Sequence, residues 1–321
     1  MQDLYTLKFS PYFRTMVWGG ERILPYKGVP GNLPKIGESW EISGYRDHLT
    51  LVDNGFLRGK SVLQLCAAYK DALLGWHVYQ EVGDDFPLLI KFIDAHSDLS
   101  IQVHPDDDMA RRVHGPSFRG KTEMWYVIQA DPGAALYCGL SREITPEEYS
   151  RRVADGNITE VLARYEVHPG DVFFLPPGRI HAICSGCMLA EIQQTSDLTY
   201  RIWDYGRLGL DGKPRQLHTD LAREAIDYKV YDNYRVSYEP ALDKSVELVS
   251  CKYFTTSVCD LTRPMTLDLP DSFMVVMCIS GFGAVNGVQV RQGDTVLVPA
   301  SQGTARIEPS GSLKVLTSYV K

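Results

Sequence analysis

The sequence predicts a mainly β protein made of two jelly-roll barrels with short helical insertions, and three observations carry that expectation. Short apolar segments closed by Gly and Pro turns recur along the chain, and from about residue 236 onward almost everything reads as strand and turn. The 18 Tyr and 11 Phe suit pleated, half-buried surfaces. Finally, a pattern repeats: HPGDVFFLPPGRIHAI (168–183) returns as RQGDTVLVPASQGTAR (291–306), each preceded by an apolar strand, at 124–128 and 273–279. Aligning Gly170-Asp171 with Gly293-Asp294 also aligns the apolar strand and the proline that ends it, so one structural unit occurs twice.

The elements follow in order. Residues 4–54, rich in Gly, Pro and aromatic side chains, read as strands and loops. Residues 61–74 read as a helix that Ser61 caps, with Val62, Leu63, Leu65, Cys66, Leu73 and Leu74 as its apolar face. The nearly continuous apolar run 86–93 is a buried strand carrying one charge, Lys91. A second helix is expected over 145–155, where Thr145, Pro146 and the acidic Glu147 and Glu148 suit a helix start. The strand 172–175 is stopped by Pro176, Pro177 and Gly178, and a further helix covers 219–225. The result is a first unit over 1–235, with helical inserts near 61–74, 145–155 and 219–225, and a second over 236–321. The repeat sets His181 opposite Thr304, so the second unit is expected to lack metal ligands and the first to be catalytic.

With 321 residues, 44% hydrophobic and 23% charged, the chain buries a full core as an ordinary globular protein. A formal charge of −7 argues against nucleic acid or an anionic membrane as its partner, and an anionic small molecule then needs a locally basic pocket. Residues 1–10 have no apolar run of signal-peptide length, and no segment approaches 18 uninterrupted apolar residues. Seven scattered cysteines, with only Cys184 and Cys187 close together, read as reduced thiols of a cytoplasmic protein rather than as a structural metal site, which needs four ligands.

The strongest local motif is LSIQVHPDDD (99–108). In a strand, Ser100, Gln102 and His104 share one face and Leu99, Ile101 and Val103 the other. A polar face inside a barrel is costly unless it serves a ligand or metal. Glu123 in GKTEMWYV (120–127) and His181 at the proline-ended turn complete two imidazoles and a carboxylate, the set expected of a catalytic zinc with an open position. Gln102 adds a neutral oxygen. His48, His77, His96, His114, His168 and His218 read as surface or core residues, and Trp18, Trp40, Trp125 and Trp203 as packing.

The Gly-Asp, apolar strand, proline and turn pattern resembles the second cupin motif, which delivers a histidine into a barrel. Over most of its length the chain resembles the type I mannose-6-phosphate isomerases in their short, bacterial-like form. The resemblance rests on TMVWGG (15–20), GESWEIS (37–43), FPLLIKFIDA (86–95), LSIQVHPDD (99–107), GKTEMWYV (120–127), PPGRIHAI (176–183) and SDLTYRIWDYGR (196–207). It implies one zinc per chain, held by Gln102, His104, Glu123 and His181, and reversible conversion of mannose 6-phosphate to fructose 6-phosphate in a monomer or homodimer. It also puts Arg201 at the family's catalytic position.

Isomerisation through an enediol needs a proton-transfer group, a stabiliser of negative charge on oxygen, and a phosphate anchor. Arg201 suits the second task and, by its very high pKa, not the first. Lys91 and Lys121 are the proton-transfer candidates if burial and the metal lower their pKa. Ser100, on the face of His104, is expected to bind substrate phosphate together with Lys91 or Lys121. Glu38 and Glu41 read mainly as structural. Rival readings are an iron-dependent cupin oxygenase, whose facial triad the chain formally contains, an isomerase of a related aldose phosphate, and a non-catalytic sugar-binding cupin.

Overall fold

In the computed structural model, which describes residues 3–31 and 33–321, the run around Lys91 becomes the strand Leu88–Ala95, buried at every position. Met1, Gln2 and Asn32, part of the first unit as read from the sequence, lie outside the described residues. Leu88–Ala95 lies within a six-stranded antiparallel sheet, ordered Val172–Leu175, Glu123–Ala130, Cys187–Gln194, Leu88–Ala95, Tyr12–Gly20 and Ile36–Ile42. Side-chain alternation divides each strand. Ile90, Phe92, Met124, Tyr126 and Ile192 pack on Val275, Met277, Leu297 and Leu316 of the sheet formed mainly after residue 245. Ile93, Trp125, Val127 and Leu189 turn the other way, against Leu136 and Ile183 of a second sheet.

That second sheet has five strands, in the order Leu162–Glu166, Ala135–Leu140, His181–Ile183, Ile101–Val103 and Tyr200–Trp203. Its far face carries Ile101, Val103, Leu140 and Ile202, covered by Tyr149 and Ala222 from two helices. A third sheet has nine strands, with Met274–Val285 against Thr304–Tyr319 at its centre. Leu7–Ser10 joins it, pairing Leu7 with Leu297 and Lys8 with Val296. The boundary expected at 235/236 is therefore crossed by a strand from the N-terminus.

The repeat is a repeated turn. Gly170 (φ 96°) and Gly293 (φ 84°) occupy the left-handed region that a side chain disfavours. The next aspartate folds back in both copies: Asp171 Oδ2 accepts from His168 N–H at 2.8 Å, and Asp294 Oδ2 from Arg291 N–H at 3.0 Å. Each turn then docks on the upstream strand through two backbone bonds, to Val127 in one copy and to Cys278 in the other.

The expected helices form as Val62–Tyr69 with Asp71–Leu74, as Pro146–Ala154 and as Thr219–Ala225. Ser61 caps the first in a reciprocal box with Gln64, and Thr145 accepts from Glu148 N–H at 3.2 Å. The first helix is broken at Lys70, whose φ of 49° leaves the helical region. Three helices went unread: Ile23–Lys27, Trp76–Val82 and Asp107–His114. The last begins inside the aspartate run of the metal motif, where Asp106 accepts from Met109 N–H at 2.7 Å. No helix among the described residues is long and apolar enough to cross a membrane. The seven cysteines are free thiols.

A buried ion pair ties these layers together. Lys27 Nζ lies 2.9 and 2.8 Å from the two Glu41 oxygens and also donates to the Gly293 carbonyl, while Ser39 Oγ donates to Glu41. Glu41 is thus structural, as its motif suggested. Lys27→Ala would leave a carboxylate buried and unpaired, at a cost of about 3–5 kcal/mol. A large fall in Tm is the expected result, and a Tm within a degree or two of wild type would refute the assignment.

Candidate active site

Strand register brings the predicted residues together from both sheets. In the five-stranded sheet His181 and Arg201 both pair with Gln102, from opposite sides. In the six-stranded sheet Lys91 pairs with Glu191, which also pairs with Trp125. Alternation turns Lys91, Glu123, Trp125 and Glu191 toward the five-stranded sheet, so a polar cavity of about 230 Å³ opens between the two. Gln102, Lys91, Lys121, Ser100 and Arg201 line it. His104 follows the strand Ile101–Val103 and lies against Glu123, whose partner Lys121 lines the cavity.

His104, Glu123 and His181 are at most 2% exposed, and their ligand atoms lie within 4.8 Å of one another. His104 Nε2 is 3.5 Å from one Glu123 oxygen, and His181 Nε2 is 3.4 Å from the other. Each imidazole donates its Nδ1–H to a carbonyl, that of Leu198 at 2.8 Å for His104 and that of Arg179 at 2.7 Å for His181. A carbonyl only accepts, so the tautomer is set and both Nε2 lone pairs point inward. His104 Nε2 and Glu123 Oε1 are buried without a hydrogen-bond partner, while Glu123 Oε2 has the Lys121 ammonium 2.8 Å away. Orphaned acceptors converging on one point are what a cation satisfies, and these residues fit a metal. Gln102 stands beside them, its Nε2 3.3 Å from His181 Nε2.

Electrostatics keep the donors in their metal-binding forms. Burial, then the Lys121 charge, lower the His104 imidazole to about 4, against the opposing pull of Glu123. Burial likewise lowers His181. Burial raises the Glu123 carboxyl, but Lys121 and His104 outweigh it and hold it well below the usual carboxylate range. The sign for stability follows. Between about 4 and 6.5 the unfolded chain binds a proton at His104 that the folded chain refuses, so stability present above 6.5 is lost as pH falls toward 4. The metal-stripped protein should therefore show a Tm that declines over that window, and His104→Gln should flatten the decline. An equal slope in both proteins would contradict it.

The two lysines differ. Lys91 is 2% exposed in the buried strand expected for it, and its Nζ is 2.9 Å from Glu191 and 3.9 Å from Glu38. Lys121 Nζ is 2.8 Å from Glu123 and 3.9 Å from Glu191. Burial pulls the Lys121 ammonium down, yet Glu123 and Glu191 together hold it above its ordinary value, the reverse of the shift a free base needs. Trp125 and Trp40 do more than pack: their indole N–H groups donate to Glu191 at 3.0 Å and to Glu38 at 2.6 Å.

Sequence reading missed Glu191, Arg14, Asp197, Arg215 and His218, all of which line the cavity. Glu191 carried a signal, a lone charge in the apolar run CMLAEIQQ, as Lys91 did in its own strand. His218 is no ligand of the three-residue cluster, but it is not merely a surface or core residue, since its Nδ1 accepts from Arg201 N–H at 3.2 Å beside the cavity.

Known proteins resemble this chain throughout. The family described as "Phosphomannose isomerase type I, catalytic domain" matches residues 7–123, and "Mannose-6-phosphate isomerase, cupin domain" matches 244–320. Mannose-6-phosphate isomerase ManA of Bacillus subtilis is 33% identical over 309 residues, covering 94% of this chain and 95% of its own. The mannose-6-phosphate isomerase of Streptococcus mutans is 31% identical, with 94% of each chain covered. The crystal structure of a Bacillus subtilis mannose 6-phosphate isomerase superimposes with a TM-score of 0.89 at 30% identity, over 99% of this chain and 100% of that one.

Proposed function

This chain belongs to the type I mannose-6-phosphate isomerase family, and from that premise we propose that it interconverts mannose 6-phosphate and fructose 6-phosphate through an enediol, with zinc bound. The supporting observation is the convergence of two neutral imidazoles and an ionised carboxylate on one dry point beside a polar cavity. His104, Glu123 and His181 would hold the metal, and Gln102 would add its amide oxygen after a flip of the amide, whose Nε2 faces His181 and whose oxygen accepts from Ser100. When bound, zinc supplies a Lewis acid for sugar oxygens.

The chain's own residues do the rest. Lys91 passes its proton to Glu191 across the 2.9 Å contact, takes the proton from C2 and returns it at C1, while the O2 hydroxyl proton passes to O1 and Glu191 finally gives its proton back to Lys91. Lys121 remains an ammonium and donates to a sugar oxygen. Ser100 and Lys91 contact the bound sugar. Arg201 faces the oxygen on which negative charge grows, a fixed donor in a partly desolvated site. The unit 1–235 carries this chemistry, while 236–321 is a second, metal-free cupin unit that buttresses the six-stranded sheet.

The test is conversion of mannose 6-phosphate by the purified, metal-analysed protein before and after chelation. Turnover that chelation abolishes and zinc restores supports both reaction and metal. Unchanged turnover after complete metal removal would sink the metal half of the proposal.

A further inference from the structure

The cavity's cations are not equivalent. Lys91 is engaged by Glu191, Lys121 by Glu123, and Arg14 by Glu38 at 3.4 Å and Asp197 at 3.3 Å. Beside these stand two guanidiniums sharing one carboxylate, with a third, Arg201, on the same cavity. Arg215 grips Asp204 with Nε at 2.7 Å and Nη2 at 2.5 Å, and Arg207 reaches the same carboxylate with Nε at 2.9 Å. Arg201 has no carboxylate within ion-pair distance among the described residues, and its Nε is buried without a partner. Asp204 is 5% exposed, so two positive charges remain in excess beside the cavity. Burial, then Arg215, lower the Arg201 guanidinium. Such a cluster is self-repelling until an anion enters.

His218 adds a neutral donor. Its Nδ1 accepts the Arg201 amide proton, which puts the ring hydrogen on Nε2. Its own N–H donates to the Arg201 carbonyl at 2.7 Å, which fixes the end of the segment 204–218 beside Arg201. The reacting carbons and the phosphate occupy opposite ends of a hexose 6-phosphate. With the reacting carbons between the metal cluster and Arg201, the phosphate falls beyond Arg201, toward Arg215 and His218 on the same cavity wall.

We propose that Arg215 and His218, beside Arg201, form the subsite for the substrate's phosphate, with Asp204 the positioning residue that aims Arg215. Ser100 and the two paired lysines then serve the sugar hydroxyls and not the phosphate. The inference rests on the isomerase reading above and deepens it.

Arg215→Met is expected to raise KM for mannose 6-phosphate about 10- to 100-fold, the loss of one charge-assisted contact, while kcat and bound metal hold. The inhibition constant of inorganic phosphate should rise in step, and Arg215→Lys should recover part of both. Asp204→Asn should show the same split more weakly, and His218→Phe should raise KM alone. A fall in kcat with KM and phosphate inhibition unchanged would overturn the subsite. If wild type fails to turn over mannose 6-phosphate, the isomerase reading falls, and calorimetry with inorganic phosphate still decides the subsite. Binding weakened by Arg215→Met supports it, while no binding, or binding indifferent to Arg215, overturns it.

Discussion

His181→Ala should yield folded protein that neither retains zinc nor isomerises mannose 6-phosphate. The side chain is 1% exposed and offers its Nε2 lone pair 3.4 Å from Glu123, with the tautomer held by the Arg179 carbonyl. Removing only an outer partner of a metal ligand typically costs about 10- to 100-fold in affinity or activity, and removing the ligand itself should exceed that. Metal analysis and turnover measure the effect together. Wild type should also lose thermal stability on chelation, because the metal binds the folded state alone, whereas the variant's Tm should not respond. A variant with full metal content would show that the cluster is not the metal centre.

Arg201→Ala should cut kcat by about 10²- to 10³-fold, as loss of a preorganised donor to a developing oxyanion does, with zinc content unchanged. The side chain sits opposite Gln102 in the sheet register and lines the same cavity, yet it touches none of the three clustered ligands. That placement separates its role from that of His181. Loss of zinc along with turnover would make Arg201 a support of the metal site, and unchanged kcat would remove it from the chemistry.

These residues differ in how visible they were beforehand. Lys91 and Glu191 are the same kind of signal, one charge in an otherwise apolar strand, and they are cross-strand partners. Lys91 stands out as the one charge interrupting the long apolar run 86–93. Glu191 was passed over because a single carboxylate in a strand says nothing of which cation it meets. The lysine chemistry was harder still. Burial alone lowers a lysine's pKa, and only the contacts with Glu123 and Glu191 reverse the sign at Lys121. Arg215 and His218 lie in a turn-rich segment without periodicity, so no local pattern aimed them at the cavity.

By itself the sequence determined the mainly β class, the repeated Gly-Asp turn, three helices, two of them capped by Ser61 and Thr145, and the residues that converge at His104, Glu123 and His181. All of these follow from local rules: which residue tolerates a positive φ, which side chain caps a helix, and which face a strand's alternation exposes. The tertiary structure alone decided that Leu7–Ser10 completes the sheet formed mainly after residue 245, that Lys27 and Glu41 neutralise each other in the interior, and that the guanidiniums of Arg207 and Arg215 share Asp204. Those outcomes depend on partners tens to hundreds of residues away, or across an irregular loop, where charge and burial act through distances that no local pattern encodes.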